Sequence, residues 1–131
     1  MGVERERRNY QGFRDLIVYQ KSYKLALEIT EITRDYPKEE KFVLTDQIRR
    51  SSRSVPGNIA EAWVKRRYPR SFAAKLLDSL AEEAETEVWL DMSLEFKYIS
   101  QDLHDNLIER YSEVARMLNS MINSPEKFCN P

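Results

Sequence analysis

Apolar residues in this chain recur at steps of three and four, the spacing of one face of an α-helix. The first run carries two such rows: Leu16, Tyr19, Tyr23, Ala26 and Thr30, beside Leu25, Ile29, Ile32 and Tyr36. Together they make the broad face of a helix with two neighbours. The run begins near Asp15 and stops at Pro37, which pushes Tyr36 out of the α region. After a charged turn at residues 38–41, a second row reads Leu44, Ile48, Ser52, Val55, Ile59 and Ala62. Pro56-Gly57 interrupts it, and an internal proline costs a helix about 3 kcal/mol. The row keeps its phase from Ile48 to Ile59 all the same, which predicts one long kinked helix rather than two. A third helix is expected over residues 69–98, with Pro69 in its first turn and Ser71 as an alternative N-cap. Its expected inner row is Phe72, Leu76, Leu80, Ala84, Val88, Met92, Phe96 and Ile99, widened by Trp89, Leu90 and Leu94. Ser100 is placed to cap a fourth helix with the cleanest row: Leu103, Leu107, Tyr111, Val114, Leu118 and Met121. Asn123-Ser124-Pro125 ends it.

Four amphipathic helices on short loops predict an all-α protein, an antiparallel up-down-up-down four-helix bundle over residues 13–123. Residues 1–12 read as a flexible lead-in and 124–131 as a frayed tail. A chain of 131 residues fits one domain with its own core. No strand alternation and no solenoid period appears. No window approaches the ~20 apolar residues of a membrane span. The charged start, Glu4-Arg5-Glu6-Arg7-Arg8, is not a secretory signal, and Gly2 lacks the Ser or Thr at position 6 that myristoylation needs. The single cysteine, Cys129, cannot form an internal disulfide. These features place the expected chain in the cytoplasm, away from membranes.

The sequence holds little catalytic chemistry. Its one histidine, His104, stands without metal-spaced partners and reads as a surface residue. No Glu-x-x-His pair, HExxH or CxxC occurs, and three glycines leave no phosphate-cradling loop. Cys129 has no histidine near it. No catalytic residue, metal or cofactor is therefore expected. The acidic run Asp78, Glu82, Glu83, Glu85, Glu87 and Asp91 reads as a solvated face. Glu83 and Glu87 fall close enough to the apolar row to aim one of them at a partner arginine.

Charge is the more informative feature. The formal net charge is −1. Yet residues 47–75 hold eight basic side chains against Glu61 alone, and residues 76–113 hold eleven acids against Lys97 and Arg110. Three readings stand open: phosphate binding by the basic segment, opposed patches meeting between subunits, or pairing of second-helix arginines with third-helix acids inside one chain. Trp63 and Tyr68 lie beside the cluster, as stacking platforms or as packing anchors.

At the second helix, Gln47-Ile48-Arg49-Arg50-Ser51 and Ser54-Val55-Pro56-Gly57-Asn58-Ile59-Ala60-Glu61 resemble a bacterial family. These are the four-helix bundle proteins encoded in intervening sequences of large-subunit ribosomal RNA genes. The opening Phe13-Arg14-Asp15-Leu16-Ile17-Val18-Tyr19-Gln20-Lys21 fits the family's start, and Phe72, Leu76, Glu85 and Leu90 fit its third helix. The resemblance covers roughly residues 13–122. It implies the antiparallel bundle with a proline-kinked second helix, a ring-shaped homo-oligomer that is most often a pentamer, and no enzymatic activity. A related branch, the accessory protein of diversity-generating retroelements, implies a reverse transcriptase and RNA or DNA as partners. That branch is strongly basic and this chain is not. Ala62 stands where the family usually has glycine, and Ala81-Glu82 where it often has Gly-Ser, adding bulk and charge where chains pack closely.

The motif also has a physical reading. Pro56 frees the carbonyl of Ser52, and Ser54 and Asn58 are short polar side chains able to satisfy backbone near it. Arg49 and Glu61 are too far apart on one helix to pair, so each is expected to find partners on other helices or subunits. Gln47, Arg49, Arg53, Pro56, Asn58 and Glu61 are thus the expected structural and oligomer-interface set. For the alternative, a nucleic-acid-binding module, the candidates are Arg50, Arg53, Lys65, Arg66, Arg67 and Arg70.

Overall fold

A computed structural model describes residues 10–129. Four helices, α1 (Ile17–Thr33), α2 (Leu44–Val64), α3 (Pro69–Glu95) and α4 (Gln101–Asn123), follow one another with 3₁₀ turns at Phe13–Asp15, Lys38–Glu40 and Pro125–Lys127. No strand occurs among the described residues. Residues 1–9 of the expected lead-in and 130–131 of the expected tail lie outside them. The protein is all-α, and α2 runs unbroken through Pro56. Each helix meets two others. Thr33 and Thr30 of α1 meet Arg49 and Arg53 of α2. Val55 and Ser51 of α2 meet Ser79 and Thr86 of α3. Asp91 of α3 meets His104 of α4, and Arg110 and Glu113 of α4 return to Glu28 and Lys21 of α1. In the α1–α2, α2–α3 and α4–α1 pairs the order of these contacts reverses along the two helices.

The rows of α2 and α4 are buried as expected. Leu44, Ile48, Ser52, Val55, Ile59 and Ala62 are in the core, with Leu107, Tyr111, Val114, Leu118 and Met121; Leu103 is half-buried. In α1 the two rows part company. Val18, Ser22, Leu25, Ile29 and Thr33 face the core, whereas Tyr19 is half-covered and Tyr23 exposed.

The inner row expected for α3 is wrong from Leu80 to Phe96, although its last member, Ile99, is buried. The buried positions are Phe72, Leu76, Ser79, Glu83, Thr86, Leu90 and Ser93. Ala84, Val88, Met92 and Phe96 are exposed, and Leu80 is half-buried. A row that advances by fours drifts ~40° per step, so it winds off any one face within a few turns. The true row alternates steps of three and four but is largely polar. Small hydroxyls make it fit: Ser79 Oγ donates to Val55 O at 2.8 Å, and Thr86 Oγ1 to Ser51 Oγ at 2.8 Å. Glu83 finds no arginine there. It is 2% exposed, and its Oε2 has no hydrogen-bond partner among the described residues. Burial first, then hydrogen bonding and repulsion from Glu87, push its carboxyl up to about 9.

α3 ends at Glu95, earlier than expected, in a left-handed turn at Lys97 (φ 65°). The Tyr98 amide donates to Ser93 O and the Lys97 amide to Leu94 O, both at 2.9 Å, a closure that glycine usually makes. Tyr36 OH donates to Ser93 Oγ at 2.7 Å and Tyr98 OH to Glu40 at 2.8 Å, joining this turn to the end of α1. Ser100 caps α4 as expected, its Oγ accepting from the Leu103 amide at 3.1 Å. At the opposite end Phe128 and Cys129, within the expected tail, pack onto the bundle. Phe128 stacks between Tyr10 and Phe72, Tyr10 meets the edge of Trp63, and Cys129 is buried. Tyr10 thereby draws part of the lead-in onto the bundle.

Two outcomes follow from these positions. Lys97→Gly is expected to raise stability by about 0.5–1 kcal/mol, since glycine adopts the left-handed turn without strain; a lower denaturation midpoint would contradict that. Glu83 keeps its proton on folding but loses it in the unfolded chain. Its penalty is therefore absent below the ordinary 4.5 and grows as pH climbs from there toward 9. Glu83→Gln should flatten this slope and gain on the order of 4 kcal/mol at pH 8 relative to pH 5. Urea midpoints that move in parallel for both proteins across that range would refute it.

Candidate interaction site

The α2 motif turns toward α1, not toward the acids of α3. Arg49 Nε donates to Thr33 Oγ1 at 2.8 Å and its Nη2 to Thr30 O at 3.4 Å. Thr33 Oγ1 spends its own proton on Ile29 O at 2.8 Å, which leaves it an acceptor for the guanidinium. Arg53 Nη2 donates to Thr30 Oγ1 at 3.1 Å. Ser54 Oγ donates to Arg50 O at 2.8 Å and Asn58 Nδ2 to Ser54 O at 2.9 Å, so both side chains bond backbone near the proline. Glu61 accepts Lys75 Nζ of α3 at 3.1 Å. Arg49 and Glu61 therefore find their partners on neighbouring helices of the same chain.

Arg53, Asn58 and Glu61 share one shallow hollow with Ser54 and Gly57. Beside it lies an apolar groove of about 530 Å³ between α1 and α2. Phe13, Tyr19, Tyr23, Ala26, Leu27 and Thr30 form one wall; Arg53, Pro56, Gly57 and Ala60 form the other. Pro56 is buried, while Gly57 is exposed with open space where a Cβ would stand. Gln47 is exposed, outside both hollows, and makes no side-chain hydrogen bond among the described residues. Ala62, at the family's usual glycine, is fully buried. The groove was half visible in the sequence as the first row of α1, read there as part of the core. Leu27, absent from that row, is the lining residue the pattern missed.

The basic candidates divide. Arg53 and Lys65 lie twelve residues apart on α2, about 18 Å. Near the proline, Arg53 is tied to α1, and Arg50 is solvated, touching Asp46 only at 4.0 Å. At the α2–α3 turn, Arg66 lies over the Trp63 ring at 4.2 Å and donates to Trp63 O at 2.9 Å. Trp63 is buried and offers no stacking face. Lys65, Arg67 and Arg70 are exposed, without an ion pair among the described residues, around Tyr68, which is 64% exposed.

The titratable groups elsewhere are engaged. His104, expected on the surface, has a side chain only 13% exposed. Its Nε2 lies 2.8 Å from Asp91 and its Nδ1 2.9 Å from Asp105. Burial works to lower its pKa, but the hydrogen bonds from the two carboxylates outweigh it and hold the imidazole above its ordinary value. Both ring nitrogens face acceptors, which suits the cation. Burial pushes the Cys129 thiol up, away from the reactive thiolate. Among the described residues no three His, Cys, Asp or Glu side chains are grouped to hold a metal, and no helix is long and apolar enough to cross a membrane.

Comparison with known proteins agrees with this architecture. The family model for the 23S rRNA-intervening sequence protein matches residues 14–120. A crystal structure from Bacteroides thetaiotaomicron, described as a protein with unknown function from the S23 ribosomal protein family, is 31% identical. It superposes with a TM-score of 0.74, over 82% of this chain and 96% of that one. No curated protein matches.

The Arg49–Thr33 contact is the motif's link between α1 and α2. Arg49→Ala is expected to cost roughly 1–2 kcal/mol, as a charged hydrogen bond to a neutral acceptor does. In a double-mutant cycle with Thr33→Val, a coupling of about 1 kcal/mol is expected from urea denaturation; additive effects would mean that the two side chains act separately.

Proposed function

This chain belongs to the 23S rRNA-intervening sequence protein family, and we propose that it acts as a non-enzymatic, self-assembling helical scaffold in the bacterial cytoplasm. The observation that carries this is the groove between α1 and α2, an apolar channel lined by Tyr19, Tyr23, Leu27, Pro56 and Ala60 that the protomer leaves open. Contiguous exposed apolar surface of this kind marks interaction sites. The residues around it, Arg53, Asn58 and Glu61, supply a polar rim. The family resemblance favours a pentameric ring. Arg49 and Pro56 support the assembly from behind, by fixing the two helices that form the groove.

A second role, nucleic-acid binding, is favoured by one observation: Lys65, Arg67 and Arg70 stand exposed, without an ion pair among the described residues, around the exposed Tyr68. That is a phosphate-binding arrangement with a stacking platform. Arg66, held by Trp63, falls outside it. RNA of a ribosome, or RNA or DNA handled by a reverse transcriptase partner, would be met at this end of the bundle.

Native mass spectrometry of protein purified at low salt without nuclease tests both. A single ring of identical subunits is the expected result for the scaffold, and a monomer at micromolar concentration would overturn it. Adducts that vanish with nuclease would support the second role. Three phosphate contacts should then give a log–log salt slope of about −2 to −3. Replacing Lys65, Arg67 and Arg70 by glutamine should abolish the binding without changing the ring.

A further inference from the structure

The apolar row that α3 turns outward answers the groove in several respects. Leu77, Ala81, Ala84 and Val88 lie on the side of α3 opposite its buried row. Leu77 and Val88 are 56% and 47% exposed. This row spans eleven residues, about 16 Å, and so does the α1 wall of the groove from Tyr19 to Thr30. The row lies on the outward surface of a helix, with two alanines between Leu77 and Val88, whereas the groove is a hollow between two helices.

Charge is matched as well. Acids flank the row at Asp78, Glu82, Glu85 and Asp91, and only Lys75 stands among them as a base. Burial, then Glu85 and Asp78, raise the Glu82 pKa, the mark of a negative field with little compensation. The groove has Arg53 in its wall, bonded among the described residues only to the neutral Thr30 hydroxyl, and the solvated Arg50 one turn away. Row against row would oppose acid to acid, and groove against groove arginine to arginine. Row in groove opposes unlike charges.

Gly57 supplies an independent pointer. It sits inside α2 with helical backbone and nothing within 4 Å of the place a Cβ would take. Alanine there would gain about 0.5–1 kcal/mol of helix stability. Nothing among the described residues requires the glycine; a backbone approaching from outside would.

We propose that α3 of one copy seats its Leu77, Ala81, Ala84 and Val88 row in the α1–α2 groove of the next, over Gly57. The inference rests on the self-assembly reading above and specifies its contact. Row and groove are different faces, so the contact is heterologous and propagates head to tail until it closes as a ring.

Two exposed substitutions test it. Gly57→Leu fills the groove and leaves the row intact; Val88→Arg spoils the row and leaves the groove intact. Each protein alone should be monomeric by sedimentation, with an unchanged far-ultraviolet circular dichroism spectrum. Mixed at high concentration they should form a one-to-one heterodimer and nothing larger, weakened by salt. The chain carrying both changes should rescue neither. If wild type assembles while the mixture stays monomeric, or while either single variant still assembles, the contact is wrong and the scaffold stands. If wild type is itself monomeric, the scaffold reading fails and this contact with it.

Discussion

The rotation of α3 about its own axis governs the rest of this structure, and a narrow polar seam sets it. Ser79 donates to the backbone carbonyl of Val55, and Thr86 to Ser51, across the α2–α3 contact. Both hydroxyls are small, so they let the helices approach, and both lack exposure, so they must be paired. Val55 is also the residue before the proline. The seam therefore holds the one stretch of α2 whose own hydrogen-bond ladder is interrupted. Once α3 is pinned in this way, Glu83 has to enter the core, Ser93 is delivered to Tyr36, and the residues between and opposite them must face outward.

The charges arrange themselves around that choice. The basic and acidic segments are consecutive in sequence, and intrachain neutralisation looks simple on paper. It does not happen, because α2 sends Arg49 and Arg53 to the threonines of α1. Lys75 to Glu61 is the α2–α3 ion pair that forms. Apart from Asp78, 3.7 Å from Lys75 on its own helix, and Asp91, which meets His104, the acids of α3 make no ion pair among the described residues. A protein of net charge −1 thus keeps two unlike surfaces apart, which favours oriented association over indiscriminate contact.

What the sequence made legible follows the same line. α2 and α4 bury rows that are both periodic and apolar, so pattern and phase agree, and their cores could be read directly. In α3 pattern and phase disagree. The phase-correct positions, Ser79, Glu83, Thr86 and Ser93, are polar, while the apolar ones drift around the helix. Ranking residues by hydropathy put the wrong face inside. The α2 motif was recognisable, but its partners were not: a threonine on α1 carries no signal that an arginine sixteen residues on will reach it. The closing segment was hidden for a related reason. Phe128 and Cys129 are isolated apolar residues without periodicity, and their partners Tyr10 and Phe72 are far off in the chain. The basic cluster looked continuous in sequence, whereas the length of α2 divides it into a braced part and a solvated part.

Compare α3 as it stands with α3 turned by about half a revolution. The turned helix would bury Leu77, Ala81, Ala84 and Val88 and release Ser79, Glu83 and Thr86 to water. Covering the exposed half of a leucine and a valine is worth roughly 1 kcal/mol each, and freeing a buried carboxyl adds to that. A protomer judged alone would gain from the turn over this stretch. Phe72, Leu76 and Leu90 anchor the opposite choice at the two ends, and the seam holds the middle. An isolated bundle has no use for the apolar surface this exposes, nor for a glycine in an open helix or an unfilled groove beside it. On the proposed contact the ridge of one protomer lies in the channel of the next, and the exposed row, the open-helix glycine and the unfilled groove share one physical explanation.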